Sequence, residues 1–280
     1  NPETIAIHGG DYRSDPTTKA VAVPIYRTTS YQFDSTEHAA NLFALKEFGN
    51  IYTRIMNPTN DALEKRLAAL EGGLACLTVS SGQTASTFSI LNVAKAGDNI
   101  VSSTDLYGGT VSLFTHTLSK LGIEVRYADP ADPKNFEKAI DDKTRAFYGE
   151  TLPNPYLRVF PIKEVSDIGR KYNIPLIMDN TSSPVLCKPL EHGAAVVVYS
   201  LTKYIGGHGT VVGGALVDGG NFDWTADPKR QPNFNEPDLS YGGAVWGKVV
   251  PELTGANVSF AVRARVVLLR DLGAALSPDN

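Results

Sequence analysis

The sequence predicts an α/β fold in which a mainly parallel sheet is covered by helices on both faces. Three observations carry this. From Asn60 onward, short apolar runs alternate with helical patterns, and strands separated by helices imply right-handed crossovers. Glycines stop the helical patterns, as at Gly72-Gly73 and near Gly97. With 280 residues, 42% hydrophobic and 20% charged, the chain can bury one large core and part of another domain.

Residues 1–58 lack a sustained period and are rich in turn formers and aromatics, which predicts an extended arm packing on something else. A helix is then expected over 62–70, a strand over 75–79 and a helix over 83–93. Strand 99–102, helix 111–121, strand 124–127, helix 133–140, strand 145–148, helix 162–172 and strand 175–178 continue the rhythm. After strand 196–199 comes the glycine-rich Tyr204-Ile205-Gly206-Gly207-His208-Gly209, then a strand over 214–217. Residues 219–256, with Pro228, Pro232, Pro237 and Pro251, read as loop, and a helix is expected over 258–276. The expected organisation is therefore an arm (1–58), an α/β domain (59–256) and, from 257–280, the start of a helix leading to a further C-terminal domain. No repeat or low-complexity tract interrupts it.

A net charge of −4, with no Lys or Arg block, argues against nucleic acid as a partner. The two cysteines, Cys76 and Cys187, support neither a disulfide framework nor a cysteine-based zinc site, and no metal site is expected. The first residues lack the charged and apolar regions of a leader, and the run 194–199 is too short to span a bilayer. A cytoplasmic protein is the expectation.

In an open parallel sheet, ligands lie beyond the carboxyl ends of the strands, and four such positions stand out. Ser80-Ser81-Gly82-Gln83 lies between a strand and a helix, where free amides and a glycine make either a phosphate cradle or a plain helix cap. Asp179 follows an apolar strand and suits either an Asx turn or the binding of a protonated ring nitrogen. In Ser200-Leu201-Thr202-Lys203, two alternate hydroxyls can bind phosphate oxygens, and a lysine desolvated beside them would present a neutral amine for Schiff-base chemistry; the plainer reading is a solvated loop lysine. Tyr107, flanked by Gly108-Gly109, offers an aromatic face for a planar cofactor or simple packing. Convergence of all four on one sheet edge favours the catalytic reading.

The segment Ser200-Leu201-Thr202-Lys203-Tyr204-Ile205-Gly206-Gly207-His208 resembles the lysine signature of the Cys/Met-metabolism pyridoxal-phosphate enzymes of fold type I. Ser81-Gly82-Gln83, Asp105-Leu106-Tyr107-Gly108-Gly109, Glu150 with Asn154-Pro155, and Asp179-Asn180-Thr181 resemble that family's other blocks in order and spacing, over essentially the whole chain. The resemblance implies a seven-stranded-type sheet and pyridoxal 5′-phosphate as cofactor. Gly82, Gln83, Ser200 and Thr202 would hold its phosphate, with Ser81 also cofactor-binding, Tyr107 would stack on its ring, Asp179 would hold its nitrogen, and Asn154 would lie near its phenolic oxygen and the substrate carboxylate. Lys203 would carry it as a Schiff base and act with Tyr107 in catalysis. Tyr52 and Arg54, in Tyr52-Thr53-Arg54-Ile55-Met56-Asn57-Pro58-Thr59, would reach a neighbouring subunit's phosphate, in a homotetramer built as a pair of dimers.

The stretches 39–54 and 236–241 resemble the O-acetylhomoserine sulfhydrylase branch of the family. The implied reaction is γ-replacement in methionine biosynthesis, joining O-acetyl-L-homoserine with sulfide or methanethiol. A γ-elimination lyase of the same family is the runner-up, and Gly109, where many methionine γ-lyases carry cysteine, leans against it. A noncatalytic scaffold is the third reading, opposed by the retention of Lys203, Asp179 and Tyr107. Gly242 stands where similar sequences tend to have histidine. The family's carboxylate-binding arginine belongs to the C-terminal domain, and Arg263, Arg265 and Arg270 are expected only to make packing and solvent contacts.

Overall fold

The computed structural model describes residues 1–280. One seven-stranded sheet organises it: β1 (Ala75–Val79), β2 (Asn99–Ser103), β3 (Glu124–Ala128), β4 (Thr144–Glu150), β5 (Leu176–Asp179), β6 (Val196–Ser200) and β7 (Gly214–Asp218), in the order β1-β7-β6-β5-β4-β2-β3. β7 runs antiparallel to β1 and β6; every other pairing is parallel. All seven strands expected from the sequence are present, with ends shifted by no more than a residue or two.

Successive residues of a strand face opposite sides of the sheet, so two cores form. Leu77, Val79, Tyr148, Ile177, Val198 and Leu216 belong to one; Cys76, Phe147, Met178, Val197, Tyr199 and Val217 belong to the other. The helices are α1 (Pro2–His8), α2 (Thr36–Phe43), α3 (Pro58–Glu71), α4 (Gly82–Leu91), α5 (Gly108–Ser112), α6 (Lys134–Lys138), α7 (Ile162–Lys171), α8 (Pro232–Asn235), α9 (Trp246–Thr254), α10 (Ser259–Arg263) and α11 (Arg270–Leu272). Phe88 of α4 packs in the first core with Trp224, Trp246 and Phe260; Leu67 of α3, Phe136 of α6 and Val165 of α7 pack in the second.

Three stretches depart from expectation. The arm is not wholly extended: Asn1 caps α1, Ser35 caps α2, and Arg66 of α3 donates to Gly9 O at 3.2 Å. Residues 219–256 are not all loop, because α9 continues through Pro251. Burial of Trp246 and Val250 outweighs the lost backbone bond there. The last helical stretch, α10, a π-helical segment Ala264–Leu269 and α11, ends at Leu272 rather than 276. Gly273 takes φ +76°, a left-handed stop, and the chain turns back so that Ser80 N donates to Ala274 O at 2.8 Å and Leu276 is buried. No helix is long and apolar enough to cross a membrane.

Candidate active site

Beyond the carboxyl ends of β1, β4, β5 and β6 lies a cavity of about 1080 Å³. Ser81, Gly82, Gln83, Tyr107, Asn154, Asp179, Ser200, Thr202 and Lys203 all line it. Sequence positions up to 122 residues apart, from Ser81 to Lys203, thus converge because parallel strands end on one edge. Tyr52 and Arg54 do not line the cavity of their own chain. The Arg54 guanidinium lies 5.4 Å from the centre of the Tyr52 ring and donates to Arg270 O.

At the start of α4, Ser81 Oγ accepts from Thr84 N at 3.1 Å, so the cap is real. The amides of Gly82 and Gln83 are left without partners and form the positive end of the helix. The helix cap and the candidate anion cradle thus share one helix start. Gly82 is required by packing: a Cβ there would lie 2.5 Å from Ser200 Cβ, across the gap between α4 and β6. Ser200 is set by Thr181, whose Oγ1 accepts from Ser200 N at 2.8 Å. The Thr202 hydroxyl accepts from Gly213 N at 3.2 Å.

Tyr107 stands at the start of α5 and is about half exposed. A Cβ on Gly109 would lie 2.5 Å from the Tyr107 ring, so glycine gives the ring its place. Gln83 Nε2 donates to Gly109 O at 3.0 Å, tying the two helix starts together.

Asp179 ends β5, with Oδ1 accepting from Thr181 N at 2.9 Å. The Asx turn expected as its plainer reading exists, and it aims the carboxylate into the cavity. Burial raises the Asp179 carboxyl above its usual range. Beside it, in register on β4, stands Glu150, a cavity residue that sequence reasoning left unassigned. Desolvation, and then the charge of Asp179, push Glu150 up to about 8. Glu150 accepts from Tyr107 N at 2.8 Å. Its only signal in the sequence was its place in the Glu150 to Pro155 block.

Lys203 was expected to be buried, and that is corrected: it is exposed. The turn after β6 holds it over the cavity, with Lys203 N donating to Ser200 O at 3.3 Å and Gly207 N to Lys203 O at 2.8 Å. Nζ has no ion-pair partner, so the amine is free to react without breaking a bond. Arg263 and Arg265 are largely buried rather than solvated, and lie in the packing of the last helical stretch.

These residues fit a planar phosphorylated cation: unpaired amides at a helix start, a carboxylate pair with no cationic partner, an aromatic face and a free amine. The family model for Cys/Met metabolism PLP-dependent enzymes matches residues 3–280. The chain belongs to this family. It is 55% identical to an O-acetyl-L-homoserine sulfhydrylase of Leptospira meyeri, over 100% of this chain and 63% of that one. It is 50% identical to O-acetyl-L-homoserine sulfhydrylase 1 of Thermus thermophilus, over 99% and 64%. The chain therefore spans just under two thirds of the length of these curated relatives. A Campylobacter jejuni structure named as an O-acetylhomoserine (thiol)-lyase, containing N′-pyridoxyl-lysine-5′-monophosphate, superposes with a TM-score of 0.93 at 41% identity, covering 100% of this chain and 67% of that one.

In this family member, Gly82→Ala is expected to cost about 1–3 kcal/mol of stability, because backbone must move to admit the methyl. Displacing α4 from β6 also opens the cradle, so pyridoxal 5′-phosphate affinity should fall. Thermal melting and cofactor titration check both effects.

Proposed function

We propose that the protein catalyses a γ-replacement in which O-acetyl-L-homoserine and sulfide give L-homocysteine and acetate. The observation that carries this is identity of 55% and 50%, over essentially all of this chain, with proteins named for that sulfhydrylation. Within the site, the amides of Gly82 and Gln83, with Ser81, Ser200 and Thr202, would hold the phosphate. The Tyr107 ring would cover the ring face, Asp179 would hold the ring nitrogen, Asn154 would lie on the phenolic side, and Lys203 would attach the cofactor through its amine. When bound, the cofactor supplies an electron sink for the charge left on the substrate α-carbon.

The chain's own part is proton transfer and positioning. Lys203 Nζ, held over the cavity without a competing partner, takes the α-proton and returns one after sulfide has replaced acetate at the γ-carbon. The Tyr107 hydroxyl is the second proton carrier. The free edge of Asp179 keeps a positive charge in place while its other oxygen stays on Thr181 N. Tyr52 and Arg54, absent from their own cavity, would serve the site of a second copy within a tetramer. The arm (1–58) is then an inter-subunit element and 59–256 the cofactor domain, and we place the enzyme in the cytoplasm.

The test is to incubate the protein with O-acetyl-L-homoserine, with and without sulfide, and to quantify homocysteine and 2-oxobutyrate. Sulfide-dependent homocysteine is expected. Formation of 2-oxobutyrate regardless of sulfide would replace the reading by γ-elimination, and neither product would overturn both.

A further inference from the structure

We propose that Glu150 is a positioning residue of this site: it fixes Tyr107 over the cavity and shares with Asp179 a single proton that decides the charge the cofactor ring meets. The inference rests on the cofactor reading above and deepens it. Its first support is geometric. β4 and β5 pair in register with Glu150 opposite Asp179, so two carboxyl groups end adjacent strands on the same side of the sheet. Both line the cavity, and Glu150 is only 6% exposed. Two adjacent buried carboxylates cannot both ionise cheaply, so one keeps a proton.

The second support is the Glu150 to Tyr107 bond of 2.8 Å, which joins β4 to the first residue before α5. Tyr107 is otherwise half exposed, and its ring lies against Gly109. The groups facing Glu150 leave it no other charge partner. β5 offers Asp179, α5 offers Thr110, and β4 itself offers Tyr148, whose hydroxyl is bonded to Ser86 of α4 at 3.1 Å and also reaches the Asp179 carboxyl. Beyond β2, Asp105 is already paired with Arg158 at 2.8 Å. The one cation on the cavity wall is Lys203.

Burial and Asp179 raise Glu150 from its ordinary value to about 8. Between the ordinary carboxyl value and that value, the folded chain binds a proton that the unfolded chain has lost. The contribution is thus fully present at low pH and disappears as pH rises through the folded value. Glu150→Gln removes this proton yet keeps an oxygen that can accept from Tyr107 N. Glu150→Ala removes both.

The experiment compares the wild type, Glu150→Gln and Glu150→Ala without cofactor, by thermal melting from pH 5 to 8.5, and then titrates each with pyridoxal 5′-phosphate. Stability of the wild type should fall across this range, and the Gln variant should show a slope smaller by about one proton. The Gln variant should bind cofactor within about threefold of wild type at pH 6, whereas Ala should bind about tenfold more weakly through loss of the hydrogen bond that tethers Tyr107. An unchanged slope in Glu150→Gln would overturn the shared proton, and wild-type affinity in Glu150→Ala would overturn the tether. If the wild type binds no cofactor, the functional reading fails, while the cofactor-free melting series still decides the proton.

Discussion

Lys203→Ala is expected to reduce homocysteine formation by about 10³-fold or more, the scale on which removing a proton-transferring or covalent group acts, while leaving the fold intact. Both halves follow from where the side chain lies. Lys203 is exposed and its Nζ holds no partner, so truncation removes no packing and breaks no bond. Surface substitutions of that kind change stability by less than about 0.5 kcal/mol. The turn itself is tied by backbone, through Lys203 N to Ser200 O and Gly207 N to Lys203 O, and the alanine variant keeps both. Steady-state rates, cofactor absorbance after gel filtration and thermal melting check the prediction together. Loss of the absorbance with an unchanged melting curve for the cofactor-free protein is the expected pattern. Near-normal turnover would remove Lys203 from the chemistry.

The same lysine marks a limit of what can be read in one dimension. Its place after β6, beside alternate hydroxyls, was visible because a strand end and a turn are local patterns. Its exposure was not, since burial depends on what packs over the turn. Glu150 shows the limit more sharply. At the end of an apolar run it looks like any polar residue closing a strand. What gives it meaning is that β4 lies next to β5, a pairing between segments about 30 residues apart in sequence that no local pattern encodes. The strands themselves were legible because turn formers bound each apolar run. The helix through Pro251 was not, because only the burial of Trp246 and Val250 sustains it. Gly82 and Gly109 read as room for a ligand; the structure adds that each first makes room for a neighbour, Ser200 and the Tyr107 ring.

Arg265 is where the departure from the sequence reading has its largest energetic consequence. Expected to make only packing and solvent contacts, it pairs instead with Glu64 of α3, which is 6% exposed. Glu64 also accepts from Thr78 N at 2.8 Å and from Thr78 Oγ1 at 2.9 Å, so one carboxylate joins α3, β1 and the last helical stretch. Arg265 further donates to Ile55 O at 2.7 Å, which brings the arm into the same junction. Arg265→Ala would leave the Glu64 charge buried with only neutral donors, a change expected to cost about 3–5 kcal/mol. Removing both charges, as in Glu64→Gln with Arg265→Met, should recover much of that loss, because neither residue then keeps an uncompensated charge. Denaturant unfolding of the two single variants and the double variant measures it. Equal loss in the double and the Arg265→Ala variants would show that the bonds to Ile55 and Cys76 carbonyls, rather than the ion pair, hold the junction. The arm residues Tyr52 and Arg54 lie just before Ile55, and Arg54 donates to Arg270 O of the same helical stretch. An arm released from this junction should therefore be cleaved sooner by limited proteolysis in Arg265→Ala than in wild type, before the sheet itself unfolds.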